Sequence, residues 1–293
     1  MQTRRRHLLS LAGGACSAAL HRQRAFAQSA VNKRIAVLDW TLAEMALTLG
    51  LVPAALTETA GYRDWVGEPI LPTDVIELGL RGNPNLEMLV QVAPDLILAN
   101  ENQAASIPLL AEIAPCLSAS IYAVTGSPYV HAVSELKRLG GRLNRVPAAE
   151  AAIDASDRAI TRAAEQAAGF SRPVYLARFI DPDHLMIFGK NSLFQDILDR
   201  IGVTNAWQGE TNAWGFGIVG VDALAGEKDA HLLYLGLGVQ DLEQIAATNA
   251  IWRSLAFVRQ QRISVLPSMW FFGGVASAGR FADNAGMTLA GLK

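Results

Sequence analysis

The chain has 293 residues, 51% of them hydrophobic and 18% charged, with a formal net charge of −2. That composition belongs to a globular protein with one large domain or two medium ones, and excludes a disordered chain. Residues 1–27 hold five of the 25 basic side chains and none of the 27 acidic ones, so the remainder carries a net charge of −7. Such an acidic body is a poor candidate for nucleic acid or anionic membrane surfaces.

In chain order, MQTRRRHLLSLAGGACSAALHRQRAFA (1–27) has a basic start at Arg4, Arg5 and Arg6, a short apolar run and a small-x-small ending. This is the anatomy of an export signal, with an apolar run too short to span a bilayer. The arginines before His7-Leu8-Leu9 suggest the twin-arginine route. A general secretory signal or a lipoprotein anchor at Cys16 are the alternatives. After cleavage Cys116 is the only cysteine, so no intramolecular disulfide can form.

RIAVLDW (34–40) reads as a buried strand and TLAEMALTLG (41–50) as a helix closed by glycine. LVPAALTET (51–59) and DVIELGL (74–80) read as strands. Asn83 is expected to cap a helix with Pro84 at its first position and Glu87 in its first turn. PDLILA (94–99), IPLLAEIA (107–114) and CLSASIYA (116–123) continue as strand, helix, strand. This alternation predicts a parallel sheet covered by helices. Residues 148–169 are alanine-rich and free of proline, which predicts a long helix bridging two lobes. Strands are expected again at 174–180, 185–189, 231–237 and 263–267, with helices at 192–202 and 277–292. The chain thus divides into a signal (1–27), an N-terminal α/β lobe (28–142), a bridging helix (143–170) and a C-terminal α/β lobe (171–293).

Catalytic and metal motifs are weak. His131, His184 and His231 lie far apart with no ligand spacing, so a metal site built from protein side chains is not expected. GVASAG (274–279) has one residue too many for a nucleophile elbow, whereas LYLGLGVQD (233–241) and GKNS (189–192) each lack a glycine of the motif they approach. The pattern favours binding over chemistry. A hydrolase with a scattered Ser–His–Asp set around His184 or His231, and a protein–protein adaptor, remain rivals. Aromatic residues are more informative: Tyr62 and Trp65 in GYRDWVGEP, Trp207 and Trp214 around 205–217, and Trp270, Phe271 and Phe272 just after a predicted strand. Loops of that kind from two lobes suggest a lined cleft. Arg81, in ELGLRGNPNLEML (77–89), is an isolated cation between Gly79 and Gly82. It is either a ligand contact or a structural ion pair with Glu77 or Asp74.

GNPNLEMLVQVAPDLILA (82–99) resembles the signature of the cobalamin- and siderophore-type substrate-binding proteins of ABC importers. FGKNSLFQDILDRIGVTNAWQGETNAWG (188–215), with YRDW (62–65), GLR (79–81) and PSMWFF (267–272), resembles the ferric-hydroxamate branch. The resemblance implies a class III periplasmic binding protein, α/β with two Rossmann-like lobes on parallel-type sheets joined by one long α-helix. It implies a monomeric, non-enzymatic periplasmic component that captures a ferric hydroxamate siderophore and delivers it to an inner-membrane ABC permease. No resident cofactor is implied, because the iron arrives inside its chelate. Another iron chelate, haem or cobalamin is the alternative cargo.

By the same resemblance Arg81 donates hydrogen bonds to hydroxamate oxygens, and Trp214 and Trp65 pack on the ligand. Tyr62, Asn212, Trp270 and Met186 are expected around them. Two positions depart from the family pattern: Gln103 stands where a pocket tyrosine is expected, and Phe216 where relatives carry a small hydroxyl residue. Glu112 and Asp222 are candidates for docking onto basic permease patches. The chemistry is coherent, because a ferric trihydroxamate is fully coordinated by its own oxygens. Its binder needs an apolar cup and directed donors, a task that suits a planar, permanently charged guanidinium.

Overall fold

A computed structural model of the chain describes residues 33–122, 126–236 and 239–292. The export signal expected over 1–27 lies outside the described residues. The first sheet has the order β3-β2-β1-β6-β7, formed by β1 (Ile35–Val37), β2 (Ala55–Leu56), β3 (Ile76–Glu77), β6 (Leu96–Ala99) and β7 (Cys116–Ser118), all parallel. The chain winds outward from β1 through β2 to β3, then returns to β6 on the other side of β1. The carboxyl ends of β1 and β6 therefore flank a topological switch point, where open α/β sheets form their crevices. Helices α1 (Trp40–Thr48), α2 (Leu86–Val92) and α3 (Ile107–Ile113) connect or follow these strands.

Three strand expectations shrink. Residues 51–59 contribute only the two-residue β2, the described part of 116–123 only β7, and 74–80 splits into β3 and β4 (Gly79–Leu80). β4 pairs antiparallel with β5 (Asn83–Pro84), leaving Arg81 and Gly82 as the tip of a tight hairpin. Asn83 is thus in a strand and does not cap the helix. Asn85 caps α2, its side chain accepting from the Met88 amide. The capping signal was real but displaced by two residues, because Gly79, at φ +77°, lets the hairpin form first.

The long connection is two helices, α4 (Pro128–Arg142) and α5 (Val146–Ala167). The second sheet has the order β10-β9-β8-β11-β12, from β8 (Val174–Phe179), β9 (His184–Phe188), β10 (Phe216–Gly220), β11 (His231–Leu235) and β12 (Ile263–Leu266). β8, β11 and β12 run parallel, whereas β8–β9 and β9–β10 are antiparallel. Residues 180–183 are too few for a crossover helix, so the chain must return as a hairpin. Helix α6 (Leu193–Arg200) follows β9. The helices α7 (Val239–Thr248), α8 (Ala250–Ser254) and α9 (Ala256–Arg259) lead into β12, and α10 (Val275–Ala290) ends the chain. Among the described residues no helix is long and apolar enough to cross a membrane.

One buried cluster runs through both lobes, from Ile35 and Val37 through Leu136 and Ile153 to Phe194, Phe281 and Leu289. Each sheet also has its own outer core. Small residues let α10 lie close to α5: a Cβ on Gly286 would come within 2.7 Å of the Ala163 backbone. Two carboxylates tie the lobes reciprocally. Glu44 of α1 accepts from the Gly274 and Ser277 amides and the Ser277 hydroxyl at the start of α10. Asp196 of α6 accepts from the Tyr129 amide and the Ser127 hydroxyl at the start of α4. Each acid satisfies helix-terminal N–H groups that have no partner within the helix, in the orientation that the helix dipole favours.

Candidate ligand-binding site

A cavity of about 340 Å³ opens between the lobes at the switch point. From the first lobe come Asp39 and Thr41 at the start of α1, Asn100 after β6, Ser120 and Tyr122 after β7, and Arg81 from the hairpin tip. From the second come Met186 on β9, Phe216 at the start of β10, Trp214 just before it, and Trp270 and Phe272 after β12.

Arg81 is fixed from two sides. Glu58 accepts from its backbone amide at 3.1 Å and from Nε at 2.8 Å. The guanidinium carbon lies 3.7 Å from the centroid of the Trp40 ring and 5.3 Å from that of Trp270. Stacking of this kind contributes about 0.5–2 kcal/mol. The ion-pair partner is therefore Glu58, not Glu77 or Asp74 as the sequence suggested. Glu77 acts one step back: it accepts from the amides of Glu58, Thr59 and Gly79 and from the Thr59 hydroxyl. Burial pushes its carboxyl up, but these hydrogen bonds outweigh that and hold it below the usual carboxylate range. Glu77 thereby clamps Glu58, which has a left-handed backbone at φ 51°, against the Arg81 hairpin. The Nε is occupied by Glu58, while the two terminal amino groups of Arg81 make no hydrogen bond among the described residues.

Asp39 caps α1 through the Leu42 amide and accepts from Asn100 Nδ2 at 2.8 Å. Burial raises its pKa, against the hydrogen bonds and the nearby Arg81 charge that lower it. The aromatic wall is continuous. Trp40 meets Trp270 edge-on at 4.8 Å, Trp270 meets Phe272 at 5.2 Å, Phe272 meets Phe216 at 5.8 Å, and Trp214 stacks on Phe216 at 6.5 Å. Thr41 joins the lobes across this wall, donating to the Phe272 carbonyl at 2.7 Å and accepting from Trp270 Nε1 at 3.1 Å.

The structure brings Arg81, Trp214, Phe216, Trp270 and Met186 together, and separates four residues expected with them. Tyr62 is completely buried and its hydroxyl donates to the Pro69 carbonyl. Trp65 packs on Phe271 at 6.0 Å beneath the Arg178 guanidinium and is not part of the cavity lining. Both belong to the π-helical turn Tyr62–Val66, whose apolar side faces the core and not the cleft. Asn212 accepts from the Trp214 and Phe216 amides, so it shapes their loop instead of facing the cavity. The adjacent Gly215 is required, because a Cβ there would lie 2.0 Å from the Ser192 amide nitrogen.

Gln103 donates to the Leu38 and Arg81 carbonyls, and its own oxygen accepts from the Asn100 amide. It lines a separate, more polar cavity behind Arg81, not the main one. Sequence reading missed Trp40, Asp39, Asn100 and Tyr122. The first three follow strands that the switch-point rule could have flagged, whereas Tyr122 carries no local signal.

Among the described residues the hydrolase alternative finds no Ser–His–Asp triad around His184 or His231. His184 is exposed and pairs with Asp181. His231 meets the Ser264 hydroxyl at 2.9 Å, but the nearby Asp229 is engaged by Arg172 and Arg262. Burial, with those two arginines, lowers the His231 pKa to about 4.

Residues 35–269 match the sequence profile of the periplasmic binding proteins. The chain belongs to that family. Its fold and cleft are those of a binding protein, and the family places it in the periplasm. This periplasmic binding protein is 38% identical over 264 residues to the iron(3+)-hydroxamate-binding protein FhuD of Escherichia coli K12, with 86% of each chain covered. It superposes on the siderophore-binding protein FhuD of Vibrio cholerae, solved with Fe3+–Desferal bound, with a TM-score of 0.81 at 26% identity, covering 89% of this chain and 98% of that one. The petrobactin-binding protein YclQ of Bacillus subtilis shares the fold at a TM-score of 0.71 and 17% identity, with 88% and 92% of the two chains covered.

Proposed function

We propose that this periplasmic binding protein captures ferric hydroxamate siderophores and delivers them to an inner-membrane ABC permease. The observation that carries the reading is one arginine held over an aromatic floor at the mouth of an apolar interlobe cavity, its terminal amino groups without a hydrogen bond among the described residues. A ferric trihydroxamate offers the complement: an organic shell for the wall and partly negative oxygens for the guanidinium. The similarity to the E. coli protein supports the same assignment.

In this reading Arg81 donates to hydroxamate oxygens, Trp214 and Phe216 cover the ligand, and Trp270 and Met186 form the wall. Gln103 and Asn212 support, by fixing the Arg81 hairpin and the Trp214 loop. Tyr62 and Trp65 brace the scaffold. The iron is cargo, complete in its coordination, so the protein needs no resident metal or cofactor. Glu112 and Asp222, exposed on α3 and on the turn Val221–Ala225, are the docking acids for the permease. Export by the twin-arginine route and action as a monomer complete the proposal.

The test is intrinsic tryptophan quenching of the purified protein by ferric hydroxamates, ferric catecholates, haem and cobalamin. Saturable quenching at the lowest concentrations by hydroxamates is expected. Tighter binding of any other class would overturn the assignment.

A further inference from the structure

A neutral ferric trihydroxamate, in which three singly charged groups balance Fe3+, presents oxygens to more than one side of its pocket. A second cation would overcharge the site, so the natural companion to Arg81 is an uncharged donor. Most polar hydrogens around the cavity are already committed at good length. Thr41 donates at 2.7 Å, Trp270 Nε1 at 3.1 Å and Asn100 Nδ2 at 2.8 Å.

Tyr122 differs. Among the described residues its hydroxyl reaches only the Gly273 carbonyl, at 3.5 Å, the outer limit of a hydrogen bond. Its ring is held edge-on to Phe272 at 5.9 Å and 85°, and it lines the cavity. The ring contacts run from Tyr122 through Phe272 and Trp270 to Arg81, so the phenol and the guanidinium bracket the aromatic wall. We infer that Tyr122 is a second recognition residue of this cavity, its phenol turning from Gly273 to donate to a chelate oxygen distant from Arg81. Burial, with the Glu44 and Asp196 charges beyond it, holds the phenol far above its usual pKa, so it stays a donor throughout the physiological range. The loop carrying Gln103 directs its side chain to the Arg81 carbonyl, so the hydroxyl enters the cavity from the neighbouring loop after β7 instead.

This inference rests on the hydroxamate reading, and one experiment separates the two. Tyr122→Phe keeps the ring and removes only the hydroxyl. Titration of wild type and variant with Fe3+–Desferal, followed by tryptophan quenching, should show affinity falling about five- to tenfold, with the Tm of the ligand-free protein unchanged. Equal affinity in wild type and variant would overturn the role of Tyr122 and leave the function intact. A loss of affinity matched by a drop in ligand-free Tm would assign Tyr122 to the scaffold and overturn its recognition role. Failure of the wild type to bind ferric hydroxamates at all would remove both.

Discussion

Asp39, Arg81, Asn100 and Tyr122 reach the cavity from the carboxyl side of the parallel first sheet. Met186, Trp214, Phe216 and Phe272 reach it from an antiparallel pair and a terminal loop of the second. The first lobe thus supplies most of the polar chemistry and the second most of the apolar surface. The division has a physical origin. Loops at a parallel switch point bring hairpin tips and helix starts together, with their capping side chains. A half-exposed antiparallel pair projects side chains from one face and suits broad aromatic cover. A cavity between such lobes can orient its ligand from one side and bury it from the other.

The sharpest way to break this comparison is on the polar side. Arg81→Ala should weaken ferric hydroxamate binding roughly tenfold to a hundredfold, the worth of one charge-assisted hydrogen bond. Unchanged affinity in a fluorescence titration would remove Arg81 from recognition.

Glu44→Ala tests whether the lobes hold their division of labour only while locked together. Removing the acceptor strands the Gly274 and Ser277 amides at the buried start of α10. The expected cost is about 2–3 kcal/mol, or roughly 5–10 °C in Tm by calorimetry. An unchanged Tm would show the lock to be dispensable.

The smallest effect is expected on the aromatic side. Trp214 is 42% exposed at the rim and stacks on Phe216, which remains when it is removed. Trp214→Ala should weaken binding about three- to tenfold and abolish most ligand-induced quenching. Full quenching in that variant would move the reporting indole to Trp270 or Trp40.

Much of this architecture was legible because its signals are local. The alternation of strands with helices and the alanine-rich α5 follow from periodicity and propensity within a few residues, whereas the β4–β5 hairpin around Arg81 displaced the helix start expected at Asn83. The antiparallel return at β9 was also legible, since Asp181-Pro182-Asp183 leaves no room for a crossover. It was passed over because the surrounding alternation resembled a parallel sheet. Trp65 misled for the opposite reason: a tryptophan in a polar, glycine-bounded segment looks like a pocket wall until the π-helical turn directs it inward.

By itself, then, the sequence determined the alternation of strands with helices and the presence of one isolated cation beside a set of loop tryptophans. Tertiary structure alone decided that Arg81 is held by Glu58, 23 residues away, that Glu44 caps a helix 230 residues downstream, and that Tyr122 enters the cavity while Gln103 turns away. Those choices depend on how two sheets and a shared core bring distant segments together, and no window of neighbouring residues encodes such an encounter.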